Sequence, residues 1–166
     1  NKMEKEIQQY EAENKTGNHI LDTILTTKSL NCQEKNIQMT CVADGKALDF
    51  LNPMDICSIF GNALDNAITS AEKMENPEKR LIHVTVSQEK SFLRIKIENS
   101  FQGVLKMKNQ LPITTKEDRL YHGFGLKSMK EIAEKYKGSL TVSAKDGWFE
   151  LRILIPLPED EKNNIV

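Results

Sequence analysis

The chain has little that would stabilise it, or fix its location, from outside its own core. Its 166 residues include three cysteines, Cys32, Cys41 and Cys57. They are irregularly spaced, odd in number and never in a C-x-x-C pair, so no disulfide framework is expected. They read as buried thiols in a reducing compartment. Long apolar runs are missing as well: the longest, 151–157, is interrupted by Arg152 and Pro156 and falls far short of the roughly 20 residues that span a bilayer. No direct membrane insertion is expected. The N-terminus has no basic-then-apolar leader, and the chain reads as cytoplasmic, or as the cytoplasmic portion of something larger. There is no excess charge of one sign, with 23 Lys+Arg against 24 Asp+Glu, so the basic field that draws proteins to nucleic acid is lacking. With 39% hydrophobic and 28% charged residues, disorder and collagen-like repeats are excluded. What remains is the length and composition of one globular domain.

The first 14 residues place Met3, Ile7 and Tyr10 on one narrow helical stripe, too short a seam for an isolated helix. They read either as the end of a longer helix or as a plain surface helix. Gly17 breaks that pattern, and Asn18 is placed to cap a second helix whose Ile20, Leu21, Ile24 and Leu25 keep the 3.6 period. Residues 37–43 alternate as a strand. Pro53 then opens the most regular segment, with Ile56, Ile59, Phe60, Ala63, Leu64, Ala67, Ile68 and Ala71 all on one face. Segments 81–87 and 92–98 alternate and pair as a hairpin. The 22 residues between Asn99 and His122 are long for a structureless connection, which marks them as functional or mobile. A helix from Phe124 to just before Gly138 follows, and then a second hairpin turning at Lys145-Asp146-Gly147. The order predicts an α+β two-layer sandwich: a mixed, mostly antiparallel sheet with helices on one face. Residues 159–166 read as a polar tail.

Three constellations could carry chemistry. Asn62 and Asn66 sit one turn apart, about 40° from each other around the helix axis, at the border of the apolar stripe. An amide oxygen there could ligate Mg²⁺, or the pair could simply hydrogen-bond at the helix flank. Asp65 falls on the opposite, solvated face. In His122-Gly123-Phe124-Gly125-Leu126, glycines at a helix start open the free N–H groups to a phosphate, although paired glycines also serve ordinary turns. Lys116, in the preceding loop, could close over a polyphosphate as a point charge. Asn99, at a strand end, could pair with a purine edge or start a turn. Thr141 is an ordinary strand residue unless it faces the same pocket.

The order of these constellations resembles the ATP-binding domain of the GHKL superfamily, which includes histidine kinases and gyrase-type ATPases. GNALDNAITSAEK (61–73) resembles the N-box and HGFGLKSMKEIAEKYKGSLTV (122–142) the G2-box, and the likeness covers roughly residues 15–157. Within the superfamily, TGNHILDTIL (16–25), Asp65-Asn66-Ala67 and the TTK…HGFGLKSMKEI segment look most like the histidine kinases of peptide quorum-sensing systems. The resemblance implies ATP and Mg²⁺ as cofactors. Asn66 would ligate the Mg²⁺, and Asn62 would line the phosphate site. Asn99 would stand where the G1-box usually has an adenine-binding Asp. Lys116 would reach the phosphates from the lid, His122, Gly123, Gly125 and Leu126 would form the lid-to-helix junction, and Thr141 would lie near the adenine. Residues 1–14 would then be the stump of a dimerisation and phosphoacceptor helix, with 15–158 as the catalytic domain.

Two departures from the pattern matter. The usual DxGxG is Asn99-Ser100-Phe101-Gln102-Gly103, so the adenine contact loses its charge assistance and weak nucleotide affinity is expected. Position 62 is a neutral amide where gyrase-type members carry a water-activating Glu, which favours transfer to a protein over hydrolysis. None of His19, His83 and His122 lies in the leading helix, so the phosphoacceptor is expected on a separate domain of a parent receptor, with a response regulator engaged only indirectly. The alternatives are a nucleotide-binding or interaction module without transfer, and an anti-sigma-factor-type serine kinase of the same fold.

Overall fold

A computed structural model describes residues 1–5, 15–103, 107–108, 111–112 and 124–159. Helix α1 (His19–Glu34) starts as its sequence demands: the side chain of Asn18 accepts from the Leu21 N–H, and Leu21 and Leu25 are buried. Strand β1 (Gln38–Ala43) leads through a short 3₁₀ turn, Gly45–Leu48, into helix α2 (Pro53–Glu72). The caps of α2 are local. Asn52 accepts from the Met54 N–H, Pro53 takes the first helical position, and every apolar residue of the predicted stripe is buried.

Strands β2 (Leu81–Glu89) and β3 (Phe92–Ser100) form the first predicted hairpin. Within the long connection the structure adds a small ribbon that the sequence did not announce, β4 (Met107–Lys108) with β5 (Leu111–Pro112). Helix α3 (Phe124–Lys135) ends where expected. Lys137 takes φ 64° and the Gly138 N–H returns to the Ala133 carbonyl, a Schellman closure. Strands β6 (Ser139–Lys145) and β7 (Trp148–Pro156) form the second hairpin around Asp146 (φ 54°) and Gly147 (φ 82°). Both turn residues have the positive φ of a type I′ connection.

The main sheet has the order β1-β2-β3-β7-β6. Only β1–β2 is parallel, with α2 in the crossover, and the other pairs are antiparallel. This is the mixed α+β sandwich the pattern predicted. Alternation decides its faces: Ile82, Val84 and Val86 on β2, Leu93, Ile95 and Ile97 on β3, and Leu151, Ile153 and Ile155 on β7 are all buried. α1, α2 and α3 cover that face. The opposite face carries His83, Lys96, Glu98, Glu150 and Arg152.

Two of the three cysteines behave as expected. Cys32 is buried and Cys41 half-buried, but Cys57 is exposed. It follows Ile56 by one residue, a 100° step that turns it off the buried stripe of α2.

Candidate functional site

The two asparagines of α2 share one half-buried edge. Asn62 donates from Nδ2 to the Ser58 carbonyl one turn back, at 2.8 Å. That bond fixes the amide plane and turns its oxygen outward from the helix. At the start of α3, Gly125 lies directly against it: a Cβ added there would stand 3.3 Å from Asn62 Oδ1 and 3.4 Å from its Cγ. Residues 63 positions apart in the chain are thus in contact, and the glycine is what permits it.

The direction of α3 follows from its other end. Lys135 and Tyr136 reach Asp55 in the first turn of α2, at 2.6 Å and 2.5 Å. Gly125 meets Asn62 while Lys135 meets Asp55, so the two helices run antiparallel. The N-terminus of α3, the positive end of its dipole, is therefore delivered to the Asn62–Asn66 edge.

Asn99 comes to the same side of the sheet from β3. It continues the core-facing row of Leu93, Ile95 and Ile97 and is 1% exposed. Its Nδ2 donates to the Ser100 carbonyl at 2.9 Å, so its oxygen serves as the acceptor. Phe101, where the G1-box has a glycine, packs on Phe149 of β7 with ring centroids 6.0 Å apart. Gly103, the motif's retained glycine, has φ 121°, a conformation that side chains disfavour. Leu126 is in the core, 5% exposed, and contributes backbone and packing to the junction.

Thr141 is a correction. It is exposed, its β6 neighbours Leu140 and Val142 take the core side, and it pairs with Arg152 on the outer face. The period-2 alternation puts it across the sheet from Asn99, so it leaves the site. Lys116, His122 and Gly123 lie outside the described residues. Asp65 is on the solvated side as expected, paired with Lys28 at 2.5 Å.

Sequence reasoning missed Asp55. It is 8% exposed and accepts from both Lys135 Nζ and Tyr136 OH, while Tyr136 OH in turn accepts from the Asn52 N–H at 3.0 Å. Burial alone would raise its pKa, but the two donors and the lysine charge outweigh that and hold the carboxyl below its ordinary value. The bond to Asp55 raises Lys135, and burial followed by the carboxylate raises Tyr136. No local signal links residues 80 positions apart, so the cluster was invisible in the sequence.

A model of the GHKL domain matches residues 51–156, the stretch that runs from α2 to the end of β7. The chain is a GHKL domain. The catalytic domain of the histidine kinase ThkA superposes with a TM-score of 0.65 at 21% identity, covering 86% of this chain and 96% of that one. The Acinetobacter baumannii histidine kinase AdeS gives 0.57 at 16% identity, over 84% of this chain and 64% of that one. These likenesses establish the fold. A probable C4-dicarboxylate sensor kinase of Halalkalibacterium halodurans is 23% identical over 137 residues, 79% of this GHKL domain but 26% of that protein. The chain thus spans about a quarter of that curated relative.

The donor set suits Mg²⁺ held chiefly by phosphate. The described residues contain no group of three or more His, Cys, Asp or Glu side chains placed to hold a metal. An amide oxygen at Asn66 is a hard, neutral ligand of the kind a mostly hydrated Mg²⁺ accepts.

Proposed function

We propose that this GHKL domain is the catalytic, ATP-binding portion of a sensor histidine kinase. It binds Mg-ATP between α2 and α3 and hands the γ-phosphate to a histidine on a separate dimerisation domain of its parent receptor. The observation that carries this reading is the contact of Asn62 with Gly125, which sets a helix start, the kind of place where anions bind, against the Asn62–Asn66 edge. Asn66 would hold the Mg²⁺, whose charge offsets that of the phosphates when bound, and the first N–H groups of α3 would bind phosphate oxygens. Asn99 would accept from the adenine amino group. Catalysis on this reading is positioning and charge neutralisation rather than base chemistry. α2 offers no carboxylate beside Asn62 to activate water: Asp65 faces solvent, and Asp55 is held two turns away by α3. The likeness of residues 16–25 and of the G2-box favours a quorum-sensing parent, whereas the relative's name points to a dicarboxylate sensor.

The test is transphosphorylation of a supplied histidine-bearing hairpin by the GHKL domain, alongside nucleotide titration with and without Mg²⁺. Phosphohistidine on the hairpin, lost together with Mg²⁺-dependent affinity in Asn66→Ala, is the expected result. Nucleotide binding without any transfer would favour the binding-module reading, to which the amide at position 99 lends support.

A further inference from the structure

We propose that Asp55 is a positioning residue for the nucleotide site: acting through Lys135 and Tyr136, it fixes where α3 lies along α2, and so where the N-terminus of α3 meets Asn62. The inference rests on the nucleotide-binding reading above. Its basis is how α3 is held. The helix has 12 residues, about 18 Å at 1.5 Å per residue. Among its described side chains, those fully enclosed are few, Leu126, Met129 and Ala133 on one stripe. With so few enclosed side chains to seat in neighbouring grooves, polar contacts at the helix end take a larger share in setting its position along the axis.

Axial placement is supplied at the C-terminal end. The Asp55 carboxylate takes both Lys135 and Tyr136, Tyr136 also accepts from the Asn52 N–H, and its ring stands edge-on to Phe50 with centroids 6.3 Å apart. An acidic residue in a first helical turn usually serves its own N-terminus. In α2 Asn52 already does the capping, and the Asp55 carboxylate bonds to the other helix instead. At the far end of the lever the tolerance is small, because Gly125 approaches the Asn62 amide at contact distance. Phosphate binding by helix-start N–H groups depends on placement to about half an ångström.

The experiment compares Asp55→Asn, Tyr136→Phe and Lys135→Met with Asp65→Asn in the whole chain. Asp65→Asn is a matched control: it also breaks an ion pair between two helices, α1 and α2, but leaves α3 untouched. Mg-ATP affinity is read by calorimetry, and amide hydrogen exchange is followed at 125–129. The expected result for Asp55→Asn is about a fivefold loss of affinity, the scale on which remote packing changes couple to sites, with faster exchange at the start of α3. Asp65→Asn should change neither. A charge exchange, Asp55→Lys with Lys135→Asp, should recover part of the affinity. Unchanged exchange at 125–129 in Asp55→Asn, or an equal affinity loss in Asp65→Asn, would overturn the proposal and leave the nucleotide reading standing. Absence of Mg-ATP binding by the unaltered chain would sink both.

Discussion

At the residue scale, behaviour follows which way each side chain turns. Burial pushes the Cys32 and Cys41 thiols up to about 11, so neither is a thiolate at neutral pH, whereas Cys57 is exposed. Titration with a thiol-specific disulfide reagent at pH 8 should therefore show one fast equivalent in the native chain and three after unfolding, and Cys57→Ser should remove the fast one. Gly125 makes a different prediction. Alanine there puts a methyl 3.3 Å from the Asn62 oxygen, displacing an amide that its bond to Ser58 holds in place. Helix propensity favours alanine by a little under 1 kcal/mol, so Gly125→Ala should leave the melting temperature almost unchanged while weakening Mg-nucleotide binding, as isothermal titration would show. The shared edge of Asn62 and Asn66 and the helix start at Gly125 were legible because helical spacing and helix-start glycines are local signals. Thr141 was put near the adenine by resemblance, whereas its alternation with Leu140 and Val142 already set it on the polar face.

At the element scale, α3 is held at its C-terminal end by two independent features. At Gly138 a Cβ would lie 2.2 Å from the Leu154 carbonyl oxygen, so the turn out of α3 runs against β7 with no room to spare. Gly138→Ala should cost about 3 kcal/mol, the upper range for forced overpacking, seen as a lower denaturant midpoint. Asp55 adds a pH signature. Its carboxyl is held below the ordinary carboxylate value when folded, so its contribution is complete above the unfolded pKa near 3.9 and is lost as pH falls through the folded value. The stability gap between the unaltered chain and Asp55→Asn should be about 1 kcal/mol at pH 7, modest because Lys135 is open to water. It should narrow as the pH falls below the unfolded value and through the lower folded one, as melts across acid pH would show. The helices and both hairpins were readable from period and turn chemistry, whereas the parallel β1–β2 pairing was not, since it depends on the path of the α2 crossover.

At the scale of the whole molecule, one hydrophobic layer joins the sheet to α1, α2 and α3, and the candidate site lies at the edge of that layer rather than in a separate lobe. Asn99 extends the same row as Leu93, Ile95 and Ile97, and the Asn62–Gly125 contact joins two helices that cover the sheet. The fold class was therefore predictable from alternation and period. The meeting of Asn62 with the start of α3 was supplied by family resemblance, because no periodicity encodes contacts across 63 residues. A site built from the shared core must report its ligand through global stability: what binds only the folded state raises the unfolding free energy by RT ln(1 + [L]/Kd). At a hundredfold excess over Kd, that is about 2.7 kcal/mol, or roughly 5–10 °C in a chain of this size. Calorimetric melts should show that rise with ATP and Mg²⁺ together, a smaller one with ATP alone, and no Mg²⁺ increment in Asn66→Ala. A Mg²⁺ increment of full size in Asn66→Ala would take the metal away from α2.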